Sequence, residues 1–171
     1  MLLRKGGGAG GRGNLTEMER PFEQVYTVMD YWDAPRSGFA DFAGAPHAYR
    51  SIFRDDLDDY DPQYRLWPVS GEVLALAMEQ WAIWNRWLDA YDAGEVDVTT
   101  HPALPADAAR NAEIAPIIVG VLESPPASAS RATAEFRAVC DRSQPIIRSR
   151  ELEVRWTRMV TEPAQSRVSQ A

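Results

Sequence analysis

The stretch YTVMDYWDAPRSGFADFAGAPHAYR, running from Tyr26 to Arg50, decides how the fold is read. It interleaves β-forming residues with turn chemistry at short intervals. Phe22 to Tyr31 sets Val25, Thr27, Met29 and Tyr31 against Tyr26, Val28 and Asp30, the period-two alternation of a strand. Asp33 to Gly38 is a turn by composition, because Pro35 presets φ and Gly38 tolerates positive φ. Phe39 to Phe42 reads as a second short strand, Ala43 to Pro46 as another turn, and His47 to Phe53 as a third strand. Strands joined in chain order by tight turns make an antiparallel β-meander.

Asp55 to Pro62 follows as an acidic loop, and Tyr64 to Val69 as a fourth strand stopped by Pro68. Ser70 then caps a helix from Gly71 to Ala93, closed by Gly94. At about 100° per residue, Leu74, Ala77, Met78, Trp81, Trp84, Leu88 and Tyr91 share one face of it. Val73, Leu76, Ile83 and Trp87 widen that face past half the circumference, and Glu72, Glu79, Arg86 and Asp89 leave a narrow polar strip. A helix apolar over so wide an arc is expected to be buried, with the tryptophans at 81, 84 and 87 as core. Ala106 to Glu123 reads as a second helix, kinked or divided by Pro116. After a Ser/Pro-rich linker, Ala132 to Val139 and Glu151 to Met159 are strands, the latter setting Leu152, Val154 and Trp156 against Glu153, Arg155 and Thr157. The order predicts one α+β domain over 21–160, an antiparallel β-meander sheet packed against a Trp-rich helix and a second helix. Residues 1–20, with their GGGAGG run, read as a flexible N-terminal arm or as a start assigned 17 residues ahead of Met18. Residues 161–171 read as a disordered tail.

Composition bounds the function class. The chain has 171 residues, 45% hydrophobic and 25% charged, which is ordinary for one globular domain. About 140 residues remain once the ends are set aside, enough to bury roughly two-thirds of the unfolded surface. No apolar run approaches the ~20 residues of a membrane span, and Leu2-Leu3-Arg4-Lys5 lacks the order of a signal peptide. The single Cys140 excludes an intramolecular disulfide and points to a reducing cytoplasm. A net charge of −7 argues against nucleic acid as a partner. That charge is uneven, since 131–171 carries eight arginines against five acids while 55–61 carries five aspartates. The basic end either neutralises the acidic loop of its own chain or meets an acidic partner.

The candidate site residues are Asp30, Asp33, Arg36, Asp41 and His47, which fall within eighteen residues, together with His101. Three chemistries suit the group around the turn. Arg36 and an aspartate can form a fork that pins the hairpin. His47 can work as an acid–base partner of Asp30 or Asp33. Asp30, Asp33 and Asp41 can hold a hard cation through oxygen. The acidic loop fails the EF-hand pattern, having no glycine at the sixth and no glutamate at the twelfth position from any of its aspartates. Two histidines without a supporting cysteine make a poor transition-metal site, and Cys140, beside Arg142, has no paired base. Neither a P-loop nor a GxGxxG, GxSxG or HExxH motif is present. No metal or cofactor is therefore expected.

Asp30-Tyr-Trp-Asp-Ala-Pro-Arg-Ser-Gly38, Ala45-Pro-His47, Trp81-Ala-Ile-Trp-Asn-Arg-Trp87 and His101-Pro-Ala-Leu-Pro105 together resemble a family of small uncharacterised bacterial proteins. The resemblance spans 22–157 and implies neither an activity nor a cofactor. The expected function is a soluble cytoplasmic binding or interaction protein whose partner is another protein or a small molecule, with no role for nucleic acid or membrane. The alternative is a small hydrolase using His47 with Asp30 or Asp33, with or without a divalent cation. Arg36 is the residue on which a ligand, if bound at the turn, would depend.

Overall fold

In a computed structural model that describes residues 21–139 and 151–159, every expected strand and helix forms. β1 (Glu23–Tyr31), β2 (Pro35–Phe42), β3 (Ala45–Arg54) and β4 (Asp59–Pro68) precede α1 (Gly71–Asp92) and α2 (Ala108–Glu123), and β5 (Ser130–Ala138) and β6 (Leu152–Arg158) follow. The arrangement differs from the expected one. β6 pairs not only with β5 but also with β1, through Glu23↔Val154, Gln24↔Glu153 and Val25↔Leu152, and the strands close into a six-stranded antiparallel barrel. The α+β reading, an open β-meander sheet packed against helices, is corrected accordingly.

The cause of closure lies on the inward faces. Tyr49, Tyr64, Phe136 and Trp156 come from β3, β4, β5 and β6, and all six pairings of their rings have centroids 5.7 to 6.1 Å apart. On a flat sheet, strands three apart lie about 14 Å from one another at ~4.8 Å per spacing. Tyr49 and Trp156 are separated by three spacings along the ladder, yet their rings are 5.8 Å apart. Only a sheet curled onto itself brings them together. Closure also removes both exposed edges, which an open sheet would leave with unpaired backbone groups.

Gly38 is part of the same construction. A Cβ there would stand 2.2 Å from the carbonyl oxygen of Thr27 and 2.7 Å from the Tyr49 hydroxyl. That hydroxyl donates to the Thr27 carbonyl at 3.1 Å, across the space a side chain would fill. Gly38 therefore serves close approach inside a strand. The turn is confined to Trp32–Ala34, and Pro35 to Gly38, expected as turn, belong to β2.

The helices cover the outer side of the barrel. Phe39, Ala48 and Trp67 point out of β2, β3 and β4 into one apolar cluster with Ala77 and Ile83 of α1 and Ile114, Ile118 and Leu122 of α2. β2 is consequently buried on both faces from Pro35 to Ala40. α1 starts as expected, with the Ser70 hydroxyl accepting from the Val73 amide at 3.3 Å. It ends in a Schellman motif: Gly94 takes φ +74°, its amide donates to Tyr91 O, and the Glu95 amide donates to Ala90 O. The buried stripe of α1 is Ala77, Ile83, Trp87 and Ala90. It is rotated from the expected one, for Met78 and Tyr91 are exposed while Trp81 and Trp84 are half-buried and stack on each other at 4.8 Å. α2 passes through Pro116 undivided and buries Ile114, Ile118 and Leu122. No helix among the described residues is long and apolar enough to cross a membrane. The arm expected over 1–20, the tail over 161–171 and Cys140 lie outside the described residues.

Two substitutions test this packing. Gly38→Ala should destabilise by about 1–3 kcal/mol through overpacking, seen as a melting point lowered by about 2–4 °C for each kcal/mol. Trp87→Ala should cost about 3–5 kcal/mol in denaturant unfolding, the range for a buried aromatic, and Trp84→Ala clearly less. Equal losses would contradict the rotated stripe.

Candidate functional site

The barrel fixes where each candidate side chain lies. Alternation along β2 aims Arg36, Gly38, Ala40 and Phe42 inward, with Arg36 at the end where the β1–β2 turn closes the lumen. Arg36 is 7% exposed. Its guanidinium forms an ion pair with Asp33 and lies over the Tyr60 ring, 4.5 Å from the centroid. Tyr60 reaches Asp30 Oδ2 at 3.5 Å, and the Tyr64 hydroxyl donates to Pro35 O at 2.8 Å. Asp30, Asp33 and Arg36 thus do assemble, as a lid that ties the first hairpin to the second. The hydrogen bond from Arg36 holds the Asp33 carboxyl below its usual range. Burial pushes the Tyr64 hydroxyl up to about 12, against the opposing pull of Arg36. Burial likewise raises Tyr49 well above its ordinary value. Arg36 Nε is buried and has no hydrogen-bond partner among the described residues.

The remaining candidates do not join this lid. Asp41 accepts from the Tyr26 hydroxyl at 2.9 Å, and its backbone oxygen accepts from Trp156 Nε1 at 2.8 Å. His47 sits opposite Ala40, toward the other end of the barrel, with Nδ1 2.8 Å from Ala45 O and its ring edge-on to Phe42 at 5.2 Å. From Arg36 to Ala40 the strand runs four residues, about 13 Å, so His47 has neither Asp30 nor Asp33 within hydrogen-bonding reach. His101 follows the short 3-10 turn Val98–Thr100 and packs edge-on against Trp87 at 4.6 Å. Among the described residues, no three His, Cys, Asp or Glu side chains gather closely enough to hold a metal ion. The acidic loop is engaged locally, Asp56 by Arg54 at 2.5 Å and Asp61 Oδ1 by the Gln63 amide at 2.8 Å. Among the described residues of the basic end, Arg137 pairs with Glu153 and Arg155 with Glu135 across β5 and β6, not with that loop.

A second cluster was not anticipated. Arg50 of β3 is the register partner of Arg65 of β4, and Arg65 is the register partner of Arg131 of β5. Tyr49, Tyr64, Leu66 and Ala132, their neighbours in sequence, belong to the lumen cluster, so these arginines point outward. Side chains directly opposite on neighbouring strands have Cβ atoms about 5 Å apart, where like charges repel. Arg50 Nη1 donates to Leu122 O at the end of α2, at 3.0 Å. None of Arg50, Arg65 and Arg131 has a carboxylate partner among the described residues. The sequence signal was an arginine at each outward position beside an aromatic or small inward residue. It becomes a cluster only once the register is known.

The buried hydroxyls set the alkaline limit of the fold. Tyr49 and Tyr64 have folded values above the ~10 of an unfolded tyrosine, so stability is intact below pH ~10 and falls as pH rises toward 12 and beyond. An alkaline titration followed by tyrosinate absorbance and near-ultraviolet circular dichroism should show a late absorbance step coincident with loss of the aromatic signal. Tyr64→Phe should shrink that step.

Compared with known proteins, the chain matches no family model, no curated protein and no solved structure.

Proposed function

We propose that this protein is a binding protein that recognises an anionic ligand on the outer face of β3, β4 and β5. The observation that carries the reading is the ladder Arg50–Arg65–Arg131, in which cations stand opposite one another without carboxylate partners among the described residues. In a fold with acids in excess, −7 overall, that placement opposes stability unless an outside anion completes it. Two further features support binding over hydrolysis. The rings of Tyr49, Tyr64, Phe136 and Trp156 pack against one another in the lumen, where an interior substrate site would have to lie. The acid–base pair that a hydrolase reading needs is split, His47 toward one end of the barrel and Asp30 and Asp33 at the other.

The test is a titration of the arginine Nε–Hε signals by nuclear magnetic resonance with a tri-glutamate peptide at low salt. The signals of Arg50, Arg65 and Arg131 should shift, those of Arg137 and Arg155, each held by a glutamate, should not, and added salt should reverse the effect. Uniform or absent shifts would remove the reading. So would turnover of ester, phosphoester or peptide substrates that disappears in His47→Ala.

A further inference from the structure

Arg65 and Arg131 are among the residues that line a furrow of about 100 Å³, together with Ile52, Arg54, Asp61, Gln63 and Tyr64. We propose that this furrow binds a single phosphoryl group, carried by a small phosphomonoester or as free phosphate. The proposal rests on the anion-binding reading of the arginine face and gives it a ligand class.

Charge is the first argument. Arg65 and Arg131 stand opposite each other in the register, and neither has an acidic partner among the described residues. One dianion between them would replace a like-charge repulsion by two charge-assisted contacts, whereas a monoanion neutralises only one of the pair. Shape is the second. A guanidinium presents a planar fork of N–H donors that matches two oxygens of a tetrahedral oxyanion. Size is the third. The furrow's volume of about 100 Å³ is several times the ~10–15 Å³ that admits one water on the same measure, which is room for a tetrahedral oxyanion.

The rest of the lining is consistent with that occupant. Asp61, the acid in the lining, has Oδ1 committed to the Gln63 amide at 2.8 Å, and its backbone oxygen accepts from the Ser51 hydroxyl at 2.7 Å. Arg54 is tied to Asp56 through two contacts at 3.0 and 2.5 Å. The anion is therefore assigned to the Arg65–Arg131 side, away from the Asp61 carboxylate. The side-chain amide of Gln63 has no protein partner among the described residues and supplies a neutral donor at the wall.

The test uses the full chain, titrated with inorganic phosphate at constant ionic strength and at about pH 8, well above the second ionisation of a phosphomonoester, about 6, so that the free ion too is mostly dianionic. Calorimetry should give saturable binding, and the melting point should rise with the logarithm of phosphate concentration. Arg65→Gln and Arg131→Gln should each weaken binding by about tenfold or more. Arg137→Gln, which removes a guanidinium held by Glu153, should bind like the wild type. Without phosphate, Arg65→Gln should melt at or above the wild-type temperature, because it removes a like-charge opposition. That result separates loss of a ligand from loss of the fold. Competition by phenyl phosphate supports a monoester ligand, and its failure supports the free ion. Unsaturable binding, full binding by Arg65→Gln, or equal competition by acetate would overturn the proposal. If tri-glutamate shifts the Arg65 and Arg131 signals while phosphate does not bind, the anion-binding face stands and the phosphoryl assignment falls.

Discussion

The packing of Tyr49, Tyr64, Phe136 and Trp156 against one another is the interaction on which the rest of the structure depends. Each ring meets the other three at under 6.2 Å, with interplanar angles from 49° to 78° that avoid face-to-face stacking. Such tilted and edge-on contacts contribute about 0.5–1.5 kcal/mol each beyond the area they bury. Because the rings come from four successive strands, the gain is available only to a curled sheet. β1 then completes the circle by pairing Val25 with Leu152. The Tyr49 hydroxyl cannot be left unpaired at full burial, and it is satisfied by Thr27 O across the gap that Gly38 keeps open. One cluster thus accounts for a closed barrel, a glycine inside a strand and two hydroxyls that resist ionisation.

The helices decide which part of the barrel's outer surface stays uncovered. α1 and α2 cover the side formed by Phe39, Ala48 and Trp67. Arg50 marks the border, reaching the Leu122 carbonyl at the end of α2. Past that border the outer face is charged. On β5 and β6 the charges are matched, Arg137 with Glu153 and Arg155 with Glu135. On β3, β4 and the start of β5 they are not, for Arg50, Arg65 and Arg131 follow one another across the register. Among the described residues, adjacent regions of one sheet therefore follow opposite electrostatic rules.

Element identity was legible in the sequence because alternation, caps and turn residues act locally. Ser70 and Gly94 marked the ends of α1, and Leu152, Val154 and Trp156 marked the inward face of β6. Closure was not legible, since the pairing of Glu23 with Val154 joins the two ends of the domain and has no local signature. The face of α1 was misread for a related reason. Three tryptophans pulled the expected stripe toward 81 and 84, whereas the space beside Phe39 and Trp67 takes Ala77 and Ile83, and the two indoles stack on each other instead. The Asp33–Arg36 pair was legible as a turn fork of residues three apart. Its supposed companions Asp41 and His47 were not separable from it in sequence, because distance along a strand counts for more than nearness in the chain. Arg50, Arg65 and Arg131 escaped notice since 81 positions separate the outer two, and only register makes them neighbours.

On the proposed anion-binding reading, the ladder also bears on the size of the ligand. From Arg50 to Arg131 it spans two strand spacings, about 10 Å, close to the ~8 Å over which physiological salt screens a charge. A ligand lying within that strip feels the arginines first. A longer polyanion extends past it over a molecule whose net charge is −7, and each further phosphate meets repulsion rather than attraction. The same charge distribution that would discourage nucleic acid therefore leaves a compact anion favoured at one place on the surface. Selectivity in such an arrangement comes from the contrast between a short unmatched strip and an acidic surround, and the fold supplies that contrast by fixing β3, β4 and β5 in a register that sets arginine opposite arginine.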